Sequence, residues 1–559
     1  MVSPNPDISK TAASLGVAVP RSMRQESRGQ RLAKETIKAV VPHSWIHAVL
    51  RRRKTPIGTQ LQSVNAPAGA NSEVFLRRFD FAWLLDTLAE LEDPPRFFYT
   101  NERGLKPSIC FLQQNMKRMV DALTEIISRY GLVASAVVDG KMQRLHTYEE
   151  LLYTVASDKI TEMKLAFNLS ELNFRLEAWV IRGNTVVAPR ANVFARNIYL
   201  TPDTGAADFL QSSGKHLSEL FDNSHESLFD APIDVVYTWV DGSDPNWQKL
   251  YIDHALPLLR KRDKSKESLT AAITENPEIF DRYASRDELK FSLRSIDRFM
   301  PWVRNIVIVS NCAPPPWLDT DNPRVRWVDH SEILDPDHLP TFNSHAIESA
   351  IHKIPGISEH FIYFNDDLFA LRPLDPLEFF TSNGLSRIRL EPYGFVHGEI
   401  DGDDPDYLNA ARNVQSLLSA RFGKTVTQLH THTPAPIKAS VLKQAEADFP
   451  DDYRRTRENK LRSPTDISPT SFLSPHYHFL SGNAIHQNPN YKLVKKTAPY
   501  KKLFDTYLQG LRSGTSKLPA LICINDGGGS TSDEDWNAAV SQFMEAAFPL
   551  PSEFEKSSW

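Results

Sequence analysis

Cysteine is nearly missing from this 559-residue chain: Cys110, Cys312 and Cys523 stand far apart and form no Cys-x-x-Cys. That scarcity excludes a disulfide framework and a Cys-rich zinc site, and predicts a reducing, cytoplasmic setting. No apolar run approaches the roughly 20 residues of a membrane helix, and no basic-then-apolar leader opens the chain. Glycine is scarce too: 23 Gly against 38 Pro is the balance of a chain with rigid loops, not of a disordered one. The Walker spacing and His-Glu-x-x-His are both absent, so neither a P-loop ATPase nor a zinc hydrolase of that kind is supported. What remains, at 41% hydrophobic and 24% charged residues, is an ordinary folded protein long enough for two to four domains.

Charge is unevenly spread. Residues 1–54 hold eleven Lys and Arg against three Asp and Glu, a net +8, which leaves −13 for the rest of a chain whose total is −5. Within this arm Leu32, Ile37, Val40, Val41, Trp45, Ile46, Val49 and Leu50 recur at roughly helical spacing, broken at Pro42. The arm predicts peripheral contact with anionic lipid at the inner face of the plasma membrane, against the plainer reading of a solvated basic tail. No nucleic-acid partner is expected.

Three regions follow from composition and patterning: a basic, partly amphipathic arm (1–60), an α+β accessory region (61–230) and a catalytic domain (231–559). The small, polar stretch 55–72 reads as a linker. In the accessory region Ser108 to Tyr130 has helical periodicity, and residues 172–190 read as a hairpin turning at Gly183-Asn184. From Ile233 the grammar changes. IDVVYTWV (233–240), VRNIVIVSN (303–311), PRVRWVDH (323–330) and HFIYFNDDLFAL (360–371), the last broken by acidic residues, are buried-strand runs, and RDELKFSLRSIDRFM (286–300) is a helix between the first two. This is an α/β sheet with its functional groups at strand ends.

Those ends carry the candidate chemistry. Asp366 and Asp367 close the fourth strand, a hard oxygen pair suited to Mg2+ or Mn2+ bridged to phosphates, or else two turn acids. Asp241 and Asp244 follow the first strand, where an Asx-turn is the plain alternative. Arg286 and Asp287 open the helix, with Arg286 a phosphate contact and Asp287 favouring the helix start. Asn343, Ser344, His345 and Glu348 lie in a polar loop entering another helix. His430 and His432 form His-x-His, better used as one proton-transferring imidazole than as a zinc pair. Arg462 and Asp466 suit neutralising a transferring phosphoryl group and orienting its partner, or a surface ion pair. LICINDGGGS (521–530) ends a strand on Asn525-Asp526 and three glycines, allowing close phosphate approach or a flexible loop.

Four strings in order resemble the Stealth family of capsule and exopolysaccharide phosphotransferases: IDVVYTWVDGSDPNW, RYASRDELKF through FIYFNDDLFALRPL, HTPAPIKAS through KLRSPTDIS, and LICINDGG. The resemblance implies a Rossmann-like catalytic domain of the nucleotide-sugar transferase type. It also implies transfer of a hexose- or N-acetylhexosamine-1-phosphate from a UDP-sugar to a sugar hydroxyl of a glycan or lipid-linked saccharide, with UMP released. On this resemblance Asp366, Asp367 and Asp526 are metal ligands, and His432, Arg462 and Asp466 are catalytic. Asp241, Asp244, Arg286 and Asn343 are assigned to the donor. One departure stands out: Ala435 follows Pro434 where the animal member resembles His-x-Pro-His, so His432 must substitute or the base lies elsewhere. A metal-dependent glycosyltransferase, which releases UDP instead, and a non-catalytic polysaccharide-binding protein are the rival readings.

Overall fold

The computed structural model describes residues 81–101, 106–167, 170–200, 205–221, 223–255, 257–259, 283, 285–401, 404–513, 518–525 and 533–556. The basic arm and the linker lie outside the described residues, as does Asp526.

Residues 97–216 build a nine-stranded sheet from β1 (Phe97–Thr100), β2 (Ser108–Leu112), β3 (Val133–Val138), β4 (Lys141–Arg144), β5 (Ile160–Phe167), β6 (Ser170–Arg182), β7 (Thr185–Val187), β8 (Asn197–Tyr199) and β9 (Ser213–His216). The expected hairpin is there: β6 and β7 pair antiparallel with Arg182 opposite Thr185, and Gly183 takes φ +57° in the turn. The expected single helix from Ser108 is not. Ser108–Leu112 is β2, buried at every position and paired with β1 and β6, and the helix runs only over Met116–Arg129. Ile109–Leu112 has no polar face to show solvent, so it fills a sheet interior, whereas Met119, Val120, Leu123, Ile126 and Ile127 make the helical stripe.

The second half contains β10 (Ile233–Thr238), β11 (Ile306–Val309), β12 (Val325–Val328), β13 (His360–Phe364), β14 (Leu368–Ala370), β15 (Ser386–Ile388), β16 (Ala435–Lys438), β17 (Ala484–His486), β18 (Tyr491–Lys495) and β19 (Leu521–Asn525). Five of them form a sheet in the order β12-β11-β10-β13-β16, parallel except for β16. The apolar runs alternate between two cores. Val235, Tyr237, Ile306, Ile308, Ile362 and Phe364 pack with the helix Glu288–Phe299, while Val236, Val307, Val309, Phe361 and Tyr363 pack with Ile351, Ile354 and Ile437. Burial on both faces is what makes parallel strands read as continuous apolar runs. Strand order reverses between β10 and β13, and such a reversal opens a crevice at the carboxyl ends of the two strands. The Rossmann-like α/β expectation is met by this topology. A small sheet, β14-β19-β18, lies beside it, with Leu368 opposite Cys523, and carries the end of β19 to the same crevice.

Buried histidines make this half sensitive to acid. His478 donates from Nδ1 to the Ser474 carbonyl (2.8 Å) and accepts the Lys438 N–H at Nε2 (3.0 Å), which suits only the neutral ring. Burial pulls its pKa down to about 4, and that of His476 likewise. The unfolded chain takes up these protons near pH 6.5 and the folded chain only near 4, so stability is lost as pH falls through that window. The loss by pH 5 is on the order of 1–2 kcal/mol for each ring. Thermal unfolding midpoints measured from pH 7.5 down to 5 are expected to fall steadily, and a flat profile would contradict this account.

Candidate active site

The crevice is a cleft of about 500 Å3. Thr238, Trp239 and Val240 from the end of β10, Asn365, Asp366 and Asp367 from the end of β13, and Ile524 and Asn525 from β19 line it. One wall is aromatic. Trp247 stacks on Tyr251 with centroids 5.1 Å apart, and Phe342 stands edge-on to both at 5.6 and 5.0 Å.

The acidic pair sits on a tight turn between β13 and β14, closed by Leu368 N–H donating to the Asn365 carbonyl. Its position is set from behind by a buried chain of hydroxyls. The Tyr237 and Ser292 hydroxyls bond at 2.8 Å, Ser292 Oγ donates to the Leu368 carbonyl at 2.6 Å, and Ser295 Oγ accepts the Ala370 N–H. Asp367 accepts the Cys523 thiol at Oδ2 (3.1 Å), and burial together with this carboxylate pushes the thiol pKa well up. Cys523 is therefore a thiol, not a thiolate.

Arg462 enters the cleft from the opposite segment and donates from Nε and Nη2 to Ser344 Oγ (3.2 and 2.6 Å). The loop that carries it is fastened by Asp466, which is fully buried. Asp466 accepts from Asn343 Nδ2 (2.9 Å), Asn459 Nδ2 (2.7 Å) and the Ser463 N–H (2.9 Å), with His345 Nδ1 at 3.3 Å. Asn343, also fully buried, caps the helix Ser344–Glu348 by accepting the His345 N–H, and donates to the Asn459 carbonyl. Asn343 and Asp466 thus hold the loop; the side chains facing the cleft are Ser344 and Arg462.

Other candidates fall elsewhere. Asp241 accepts from Ser243, and Asp244 caps the helix Pro245–Leu250 and accepts the Ala313 N–H; neither lines the cleft. Arg286 pairs with Glu288 at 3.2 Å, and Glu288 is the cleft residue of the two. Asp287 adopts φ +63° and caps nothing, accepting the Trp317 indole N–H instead. His430 packs inward near Arg389, and burial lowers its pKa to about 3. His432 is exposed, within electrostatic reach of Asp367, Glu391 and Lys495, and partial loss of hydration lowers its pKa as well. Ala435 is buried on β16 opposite Tyr363, in the sheet core. Asn311, His330 and Asp406 line the cleft although the sequence did not single them out. Asn311 and His330 end apolar strand runs, which was the available signal.

Among the described residues no three His, Cys, Asp or Glu side chains cluster as a complete metal cage. Two carboxylates on a cleft turn nonetheless fit a hard cation that takes few protein ligands and keeps water and phosphate oxygens.

Four family regions match this chain in order: Stealth protein CR1, conserved region 1, at 231–253; CR2 at 282–388; CR3 at 431–480; and CR4 at 510–559. Capsular polysaccharide phosphotransferase SacB of Neisseria meningitidis serogroup A is 36% identical over 485 residues, 86% of each chain. The chain belongs to the Stealth family. Exopolysaccharide phosphotransferases SCO2594 and SCO6021 of Streptomyces coelicolor are 40% identical over 333 residues and 35% over 401. The alignments cover 58% and 69% of this chain, and 52% and 71% of those proteins. This Stealth protein is accordingly a group-transferring enzyme of the capsule and exopolysaccharide phosphotransferase type. Among solved structures, the galactosyltransferase LgtC covers 58% of this chain and 98% of its own at 11% identity and TM-score 0.29. Mouse xyloside xylosyltransferase 1 scores 0.24 at 9% identity, with 53% and 98% covered. The fold assignment rests on strand order instead. The first region supplies β10, the second β11 to β13 with the acid turn, the third Arg462 and its loop, and the fourth β19.

Proposed function

We propose that the protein moves a sugar-1-phosphate, hexose or N-acetylhexosamine, from a UDP-sugar to a hydroxyl of a glycan or lipid-linked saccharide, releasing UMP. The observation that carries this reading is the meeting of Asp366, Asp367 and Arg462 in one aromatic-walled cleft at the strand-order reversal. Mg2+ or Mn2+ held by Asp366 and Asp367, with Asp526 as a further ligand, would neutralise the diphosphate. The Arg462 fork, kept in place by Ser344 and the Asp466 loop, steadies the equatorial oxygens of the transferring phosphoryl group. His432, neutral at pH 7 because its pKa is lowered, takes the proton of the attacking hydroxyl. The new oxygen–phosphorus bond forms to the acceptor, and the bond to the UMP oxygen breaks. The basic arm at 1–54 supports contact with an anionic cytoplasmic membrane face, where lipid-linked acceptors reside.

Incubation with a panel of UDP-sugars, Mg2+ and saccharide acceptors tests the reading through the nucleotide produced. UMP is expected; UDP would make the enzyme a glycosyltransferase. His432→Ala is expected to lower kcat by roughly 10²–10⁴-fold with donor affinity little changed, since the base acts on the acceptor. Wild-type turnover in that variant would place the base on another residue.

A further inference from the structure

Exposed apolar side chains are normally scattered singly over a protein surface. Here they are gathered. Among the described residues from 223 onward six large ones stand exposed, and Tyr393, Phe395, Ile400 and Tyr407 are four of them. Tyr393 is 70% exposed and Phe395 54%. The backbone beneath them is fastened. The Phe395 and Val396 N–H groups donate to the Thr427 carbonyl at 2.8 and 2.9 Å, and Gln415 Nε2 donates to the Val396 carbonyl. Gly394 lies so close to Thr427 that a Cβ there would stand 2.7 Å from its Oγ1. Asn409, fully buried, accepts the Asp401 N–H (3.1 Å) and donates to the Asp401 carbonyl (2.6 Å), and Arg412 Nε donates to the His397 carbonyl. The loop is thus tied to the helix Asp406–Phe422 while its aromatic side chains face water. A backbone fixed in advance lowers the ordering cost of binding.

Both ends of this loop reach the cleft. Glu391, at its start, accepts the Tyr491 hydroxyl at 2.7 Å, and the same hydroxyl bonds the backbone of His432. Asp406, at its end, lines the cleft beside the exposed Tyr407. The aromatic surface is therefore continuous with the cleft rim on the side of His432, the base of the reading above. An acceptor that delivers its hydroxyl to that base passes over this rim.

Charge narrows what the rings meet. Residues 391–407 hold six Asp and Glu and no Lys or Arg. Such a loop repels an anionic lipid face and a phosphate-bearing polymer. A two-fold contact between copies of the chain would set one acidic loop against the other. An uncharged saccharide meets none of these penalties. A pyranose ring has C–H faces that lie on an aromatic ring, and a rim of hydroxyls that can reach carboxylates and water. Tyr and Phe supply that contact area with few torsions to freeze.

We infer that Tyr393, Phe395 and Tyr407 form a saccharide subsite outside the cleft, stacking uncharged sugar units that neighbour the one whose hydroxyl attacks. This deepens the transfer reading above and rests on it for the word acceptor. The test uses the full-length protein with uncharged glucose and N-acetylglucosamine oligosaccharides of one to six units as probes. Binding is read by saturation-transfer NMR without donor, and acceptor KM by UMP release with it. The double variant Tyr393→Ala, Phe395→Ala is expected to bind probes of three or more units roughly tenfold more weakly and to raise their KM alike. Donor KM is expected to stay at the wild-type value, and the one-unit probe, which occupies the reaction point alone, to show no such loss. Tyr393→Phe and Phe395→Tyr keep the rings and are expected to keep the affinity. Both side chains are exposed, so the variants are expected to melt with the wild type. Equal affinity of the double variant and the wild type for every probe, or no binding of any probe by the wild type, would overturn the subsite. Loss of anionic-vesicle binding in the double variant, with saccharide affinity intact, would overturn it by making the loop a membrane contact. A wild type that binds the longer probes through these rings yet releases no UMP from any UDP-sugar would overturn the transfer reading and leave the saccharide subsite standing.

Discussion

Asp366→Asn is expected to lower turnover on the order of 10³-fold while the protein stays folded, an effect of several kcal/mol on the barrier. The fold is expected to survive because Asp366 is partly exposed at its turn, and the turn is held by others. The Tyr237–Ser292–Leu368 chain and the Asn365–Leu368 backbone bond do not involve its carboxylate. Activity is expected to suffer because carboxylates facing a diphosphate repel it unless a cation stands between them. The amide keeps the shape and removes the charge that binds the cation. Two further outcomes follow: EDTA abolishes wild-type UMP release and Mg2+ or Mn2+ restores it, and excess metal partly rescues Asp366→Asn. Full activity of the wild type in EDTA would overturn the metal-assisted mechanism, whatever the variant does. Asp367→Asn is the less clean experiment, since that carboxylate also accepts the Cys523 thiol.

That acid turn was legible in the sequence, and the reason is physical. A parallel strand buried on both faces reads as a near-continuous apolar run, so the polar residues directly after Phe364 mark where the strand leaves the core. The same reasoning picked Asp241 and Asp244 after β10, where it led to a different use. Their carboxylates are taken by Ser243, by the start of the helix Pro245–Leu250 and by Ala313. Position after a strand says that a residue is near the sheet edge; it does not say which backbone donors will claim it. Asn311 and His330 show the converse, since one polar residue at the end of an apolar run looks like a fraying strand until its neighbours across the sheet are known. Ser108–Leu112 failed for want of length: the four apolar residues Ile109–Leu112 satisfy a helical stripe as well as a buried strand. The Asn343–Asp466 bond joins residues 123 positions apart, and no local pattern announces it.

Asp466 is where that long-range tie has its largest expected consequence. Asp466→Ala is expected to destabilise the fold by roughly 3–5 kcal/mol, because the buried donors of Asn343, Asn459 and Ser463 lose their acceptor together. That is a large share of a typical 5–15 kcal/mol total, so the variant is best made and assayed cold. Stability is only half of the expectation. Residues 341–344 and 459–466 are joined by Phe342 N–H to the Lys460 carbonyl, by Asn343 to Asn459, and by Arg462 to Ser344. Releasing Asp466 lets the second segment shift against the first, and a guanidinium displaced by about 1 Å costs on the order of 10²-fold in rate. Turnover per folded molecule, measured well below the unfolding midpoint, is therefore expected to fall while donor KM moves little. Arg462→Lys gives the comparison: it keeps the charge, loses the planar fork, and is expected to lose turnover without losing stability. If Asp466→Ala melts early yet turns over at the wild-type rate per folded molecule, Asp466 holds the fold alone and Arg462 is positioned by Ser344.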